Sequence, residues 1–172
     1  FWFDAHVRAA LSGEHASVEG YVAATGRYYE NHYYSPRKGQ FACLFSDITE
    51  RKLAEQQLLM LSTAVEQNPG SIVLTDLNAN ILYVNAAFER ISGYTFDEVR
   101  GHNPRLMQSG ETPPEVFAAM WDTLSRGEDW QGEMINKRKS GEAYVERAVI
   151  SPVRRADGSV SHYLGIKQDI TE

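Results

Sequence analysis

From Gly70 onward the chain alternates short apolar runs with polar turns. Ser71–Asp76 (SIVLTD) and Asn80–Asn85 (NILYVN) flank the turn Leu77-Asn78-Ala79. Runs of this length, bounded by Asn and Asp, predict two strands joined as a hairpin. Three longer alternating segments come later: Trp130–Arg138, Ala143–Val153 and Ser159–Ile170, separated by Lys139-Ser140-Gly141-Glu142 and Ala156-Asp157-Gly158. Between the two groups lie helix signals. Thr95–Glu98 and Thr112–Glu115 have capping-box spacing. The second carries proline at the first helical position, where a missing N–H costs nothing, and predicts a helix to about Arg126, stopped by Gly127. The order β-β-α-α-α-β-β-β predicts an α+β fold: a five-stranded antiparallel sheet with helices on one face.

Upstream, Arg51–Gln67 is rich in Leu, Ala, Glu, Gln and Lys, all good helix formers. Asp47 or Thr49 caps its start in this reading, with Glu50 in capping-box spacing from Asp47, and Asn68-Pro69-Gly70 ends it. Ala54, Leu58, Leu61 and Val65 fall at the seam spacing of a coiled coil. Either this helix packs on a neighbouring domain or it joins two copies of the chain. A repeat frames it: SDITE stands at 46–50 and QDITE at 168–172. Each copy is preceded by Ser-Pro (35–36 and 151–152), a basic glycine-containing turn and a short apolar run. This spells strand, hairpin, strand, stop, twice. The aromatic run YYENHYY (28–34) then sits where the first module needs its central strand.

The 172 residues are 42% hydrophobic and 23% charged, a balance that supports a packed core. A net charge of −6 argues against a general nucleic-acid surface. No apolar run approaches the roughly 18–20 residues of a membrane span, and no signal peptide is visible. The single cysteine, Cys43, excludes an internal disulfide and fits a reducing, cytoplasmic compartment. The abrupt start at Phe1-Trp2-Phe3 suggests a fragment of a longer parent, which could itself be membrane-bound. The five histidines show no metal-ligand spacing, no nucleophile sits beside a base, and no phosphate-binding glycine loop is present. The expectation is therefore a non-enzymatic fragment without a metal site.

The sequence TD…ILYVN…F…ISGY…E–GHNPR…DITE resembles the PAS domain family of bacterial sensory modules. The resemblance covers 63–172 as a complete domain and 1–50 as the back half of a preceding one. It implies a partial first PAS domain (1–50), a linker helix (51–67) and a complete second PAS domain (68–172). DITE then marks the end of each module, where the last strand hands over to a signalling helix. Within the family, GHNPRLMQSG (101–110), Trp121 and INKRKSGEAYVE (135–146) resemble the flavin-binding branch, above all the FAD-binding redox sensors. The more distant light-sensing LOV domains bind FMN and carry a cysteine where this chain has Pro104. Their flavin–cysteine bond is therefore not expected here, and Cys43 lies outside the complete domain.

Strand periodicity picks out the same region. Trp130, Gly132, Met134 and Asn136 share one strand face, as do Tyr144, Glu146, Ala148 and Ile150, and Tyr163, Gly165 and Lys167. Asn136, Glu146 and Lys167 are the polar members of apolar rows, so each needs a polar partner if buried. For Asn136 that partner is a flavin's pyrimidine edge, which the resemblance implies, or the neighbouring turn. LOV domains have Asn and Gln at the other two positions, which bond the flavin ring. Here Glu146 and Lys167 can instead pair with each other. Trp121 can pack on a flavin ring or join Val116, Phe117, Met120 and Leu124 in the core. The resemblance places Asn103 and Arg105 near the ribityl or phosphate part of a flavin. Arginine suits phosphate through its forked donors; a solvated Arg105 is the alternative. Asn85 reads as a helix cap, and haem is not expected, because the pocket helix lacks a histidine.

The expected function is thus a sensory PAS module that binds FAD as a redox sensor, open also to oxygen or light, and signals to an output domain of the parent chain. A histidine kinase, a cyclic-di-nucleotide enzyme or a transcription regulator would serve as that output. The chain is expected to form a homodimer through PAS surfaces and the linker helix, without nucleic acid or direct membrane contact. The alternative is a cofactor-free PAS pair that dimerises and relays signals.

Overall fold

The computed structural model describes residues 15–37, 39–40 and 42–171. The expected first module therefore falls partly outside the described residues, at 1–14 and at Lys38 and Phe41 of its hairpin. The chain divides into two compact units, Phe1–Leu61 and Ser62–Glu172.

In the first unit, β1 (Ala16–Val22), β2 (Arg27–Tyr34) and β3 (Ala42–Asp47) form an antiparallel sheet in the order β1-β2-β3. The aromatic run is β2, at the centre, as its composition predicts. Its buried Tyr33 packs against Ala16, Val18 and Cys43. The helix α1 (Thr49–Glu66) begins at the first DITE and has no buried residue. Gly70 N–H donates to Asn68 Oδ1 just beyond its end.

The second unit holds β4 (Ser71–Thr75), β5 (Ile81–Val84), β6 (Trp130–Lys137), β7 (Ala143–Arg154) and β8 (Val160–Asp169). They form one antiparallel sheet in the order β5-β4-β8-β7-β6. The helices are α2 (Ala86–Ser92), α3 (Phe96–Val99) and α4 (Pro114–Ser125), with a 3-10 turn at Pro104–Met107. The α+β architecture is the expected one, and element ends differ from the sequence reading by a residue or two. One core cluster joins Val73, Ile81, Val84, Phe88, Val99 and Met107; the other joins Met120, Leu124, Trp130, Met134 and Ala148. Gly132 is required beside this second cluster, because a Cβ there would lie 2.3 Å from the Trp130 ring.

Two caps follow the sequence reading and one departs from it. Thr95 N–H and Oγ1 both donate to Glu98 Oε2, at 3.0 and 3.2 Å. Asn85 caps α2 through Phe88 N–H and also accepts from Ile72 N–H, while its amide donates to the carbonyls of Val65 and Gly70. Thr112 does not cap α4. Its Oγ1 accepts from Ile135 N–H at 2.8 Å and donates to Ile135 C=O at 3.1 Å, because β6 passes within reach and offers both partners at once.

The repeated DIT builds the same latch twice. Asp47 Oδ1 accepts from Thr49 N–H and Oγ1, and Thr49 Oγ1 accepts from Tyr28 N–H on β2. Asp169 Oδ1 accepts from Thr171 N–H and Oγ1, and Thr171 Oγ1 accepts from Val145 N–H on β7. Each aspartate gives its second oxygen to an arginine 2.7 Å away, Arg27 in one copy and Arg138 in the other. The Thr49 hydroxyl and N–H, then Arg27, hold the Asp47 pKa down at about 2.

Candidate ligand site in the second unit

A cavity of about 240 Å³ lies against the sheet of the second unit. Met120, Leu124, Met134 and Ile150 supply apolar wall; the strands also bring Thr75, Asn136, Tyr163 and Lys167 to it. The loop carrying Asn103, Pro104, Arg105 and Gln108 closes one side. It is tied to β6 by the Thr112 bonds, by Ser109 Oγ donating to Ile135 C=O at 2.6 Å, and by a backbone bridge from Gln108 to Asn136.

Register explains how the three polar strand residues meet. Asn136 on β6 lies opposite Tyr144, Glu146 on β7 opposite Met134 and Asp169, and Lys167 on β8 opposite Ala148. Glu146 and Lys167 are therefore diagonal neighbours, a separation that long side chains bridge. Lys167 Nζ lies 2.5 Å from Glu146 Oε1, and Asn136 Nδ2 donates to the same oxygen at 2.7 Å. Tyr144 O–H donates to Oε2 at 3.2 Å. Asn136, Glu146 and Lys167 are 4%, 2% and 7% exposed. Burial first, then the Glu146 charge, pushes the Tyr144 pKa up strongly, so its hydroxyl stays a donor.

Of the six residues singled out by sequence, Asn103, Arg105, Trp121, Asn136 and Lys167 all line this cavity. Glu146 stands behind Asn136 and Lys167 and orients both. Asn136 Oδ1 receives no hydrogen bond among the described residues, and Lys167 keeps two further N–H donors. Trp121 does not enter the core cluster. It is 43% exposed at the edge of the cavity and meets Tyr163 edge-on at 5.8 Å. Asn103 Oδ1 accepts from Arg105 N–H and so caps the 3-10 turn. Arg105 is exposed at the rim. No cysteine lines the cavity.

Sequence reasoning missed Tyr144 as a functional partner, though its place on the Glu146 face was legible. It also missed Arg138, whose guanidinium lies 4.5 Å from the Tyr144 ring centre and donates to Ile91 C=O and Asp169. Nothing in its turn sequence announces these partners.

The three strands of the first unit can be set against β6, β7 and β8 by register. Pairing Asp47 with Asp169 by register, Tyr29 occupies the place of Glu146 and Phe45 that of Lys167. Val22 takes the place of Asn136. Tyr29 and Phe45 meet edge-on at 6.3 Å, an aromatic pair where the second unit has an ion pair.

The second latch titrates. Partial burial of Asp169 works to raise its pKa, but Arg138 and Thr171 together outweigh this and hold it below the ordinary carboxylate value. Its contribution is present above the unfolded pKa and is lost as pH falls through the lowered native value. Asp169→Asn is therefore expected to cost ~1 kcal/mol near neutrality, with the deficit vanishing in acid. Thermal unfolding across that pH range checks it. A deficit that persists unchanged in acid would contradict the latch.

Comparison with known proteins agrees with this fold. The family model described as "PAS domain" matches residues 69–172. The chain is 40% identical over 119 residues to a nitrogen fixation regulatory protein of Klebsiella oxytoca, covering 69% of this chain and 24% of that protein. It is 38% identical over 98 residues to the aerotaxis receptor of Escherichia coli strain K12, covering 57% of this chain and 19% of the receptor. Among solved structures, the LOV domain of a blue-light activated histidine kinase from Erythrobacter litoralis EL346 superposes with TM-score 0.57 at 26% identity, covering 62% of this chain and 100% of that domain. The chain thus spans a quarter or less of these two curated relatives. With its five-stranded sheet, its paired latches and a family match over the whole second sheet, the chain belongs to the PAS domain family.

Proposed function

We propose that the second unit binds a flavin, in the form of FAD, and acts as a redox-responsive sensory module of a larger signalling protein. The observation that carries this is the cavity floor. Asn136 Oδ1 is an open acceptor beside the spare N–H donors of Lys167, in a pocket that Met120, Leu124, Met134 and Ile150 wall with apolar side chains. An acceptor next to a donor complements an imide edge, in which an N–H lies beside a carbonyl, and a flavin ring ends in such an edge. Bound there, a flavin would supply reversible electron transfer. The protein's part is to receive and orient. Asn136 Oδ1 accepts the ring N–H, Lys167 donates to a ring carbonyl, and Met120, Leu124 and Met134 exclude water. Trp121 offers an aromatic surface at the edge, and Arg105 suits the diphosphate that distinguishes FAD from a mononucleotide. The relatives' names, a nitrogen fixation regulator and an aerotaxis receptor, support a sensory role coupled to an output domain elsewhere in the parent chain.

Absorbance of the purified, desalted protein tests this, with mass spectrometry of anything released by heat. The paired near-ultraviolet and blue flavin bands, with FAD released, are expected. A protein that stays colourless after incubation with FAD would overturn the reading. It would favour a second one, a cofactor-free relay, for which the self-satisfied Glu146–Lys167 pair speaks.

The exposed leucines of α1 support dimerisation in either reading: Leu53, Leu58 and Leu61 are all more than half exposed. Replacing Leu58 and Leu61 together by glutamate is expected to convert a dimer to monomer in sedimentation experiments while leaving the second unit's unfolding midpoint unchanged. An unchanged sedimentation coefficient would remove α1 from the interface.

A further inference from the structure

We infer that Glu146 is the proton acceptor of this site: negative charge entering the cavity draws Lys167 away, and Glu146 then takes up a proton. In its redox form the inference rests on the flavin reading above; in its electrostatic form it stands on the protein alone.

The buried charges are balanced as they stand. Lys167 faces Glu146 from β8, and Asn136 faces it from β6 as a neutral donor. Tyr144 faces it from β7 as a neutral hydroxyl. Asp169, opposite in register, is already matched by Arg138, whose guanidinium also covers the Tyr144 ring. A new anion in the cavity therefore finds one buried cation to pair with, Lys167, and that cation belongs to Glu146. Its ammonium sits on a flexible four-carbon stem with donors to spare, so it can turn from the carboxylate to the ligand. Glu146 is then a buried carboxylate facing neutral groups, a state that desolvation penalises and a proton relieves. Protonation disrupts nothing else, because Asn136 Nδ2 and Tyr144 O–H still have oxygens to donate to.

For a two-electron reduction the balance closes. An external reductant such as dithionite supplies two electrons. One proton goes to a ring nitrogen, leaving the ring singly negative beside Lys167. A second goes to the Glu146 carboxylate, so the site as a whole gains two electrons and two protons and no net charge. At the corresponding positions of the first unit stand Tyr29 and Phe45, neither a carboxylate nor an ammonium group.

Infrared difference spectroscopy tests both forms, because a protonated carboxyl group has its own C=O stretch. In the ligand-free protein, Lys167→Met is expected to produce that band near neutral pH, and the Glu146→Gln/Lys167→Met double variant to lack it. The Lys167→Met midpoint should also fall toward the alkaline side more steeply than the wild type's, since folding then binds a proton that unfolding releases. A folded Lys167→Met protein without the band overturns the inference. Should that variant not fold, the FAD-loaded wild type decides. Reduction with dithionite is expected to bring up the band, and Glu146→Gln to remove it. Loaded protein that reduces without the band overturns the inference while leaving the flavin reading intact. Protein that binds no FAD overturns the flavin reading, and the ligand-free measurement still judges Glu146.

Discussion

Lys167→Met is expected to destabilise the second unit by about 3 to 5 kcal/mol at neutral pH, the usual cost of removing one member of a buried ion pair. In a unit of this size that lowers the unfolding midpoint by about 4 to 8 °C per kcal/mol. The cost comes from what is left behind. Glu146 is 2% exposed, and its Oε1 would lose the cation 2.5 Å away. Glu146→Gln/Lys167→Met is expected to recover most of the loss, because it removes both charges and leaves a side chain that Asn136 and Tyr144 can still bond. Unfolding of the wild type, both single variants and the double variant gives the coupling between the two residues. Coupling near zero would mean that the short contact carries no net energy. The same Lys167→Met change is expected to weaken FAD binding about 10- to 100-fold, the range for one hydrogen bond from a charged donor. Titration of the ligand-free protein followed by flavin fluorescence measures it. Stability and affinity should separate in the double variant, which regains the first and not the second.

Asn85→Ala is expected to cost about 3 kcal/mol, from four hydrogen bonds worth roughly 1 kcal/mol each less some relaxation. The fully buried amide holds together the residues that open the second unit: Val65 and Gly70 through its N–H groups, Ile72 on β4 and Phe88 in α2 through its oxygen. An alanine keeps the backbone and loses all four links, leaving the Ile72 N–H to find a new partner. Asn85→Asp retains the acceptor but turns a buried carboxylate oxygen toward the two carbonyls, so it should cost at least as much as alanine near neutral pH. Thermal and urea unfolding check the series. An alanine variant within 1 kcal/mol of wild type would show that water replaces the amide, against the ~1 kcal/mol expected for each bond in a sealed site.

The cap was legible because it is local: asparagine before a short amphipathic segment is a sequence signal. Thr112 carried an equally good signal and did something else. Its neighbour in space, Ile135, is far away in sequence and offers both a donor and an acceptor. A local capping preference worth about 1 kcal/mol yields when tertiary packing brings two backbone groups to the same hydroxyl. Trp121 makes the same point from the other side. Its helix spacing suited the core, yet Met120 and Leu124 fill that place and the indole remains at the edge of the cavity.

The sequence by itself determined the strands, the faces they present, the two DIT endings and the family. It also determined that Asn136, Glu146 and Lys167 interrupt apolar rows. The strands, their faces and the interruptions follow from periodicity within a segment, where backbone geometry permits few alternatives, and the family from the resemblance of the motifs. The tertiary structure alone decided which of those interruptions meet. β8 lies between β4 and β7, and its register sets Lys167 diagonal to Glu146 and Asp169 opposite it. Asn136 and Lys167 thereby share one carboxylate oxygen from strands on either side of it, and Arg138 reaches Asp169 from the β6–β7 turn. Strand order and register are settled by burying whole faces at once, a property of the packed sheet that no single segment carries.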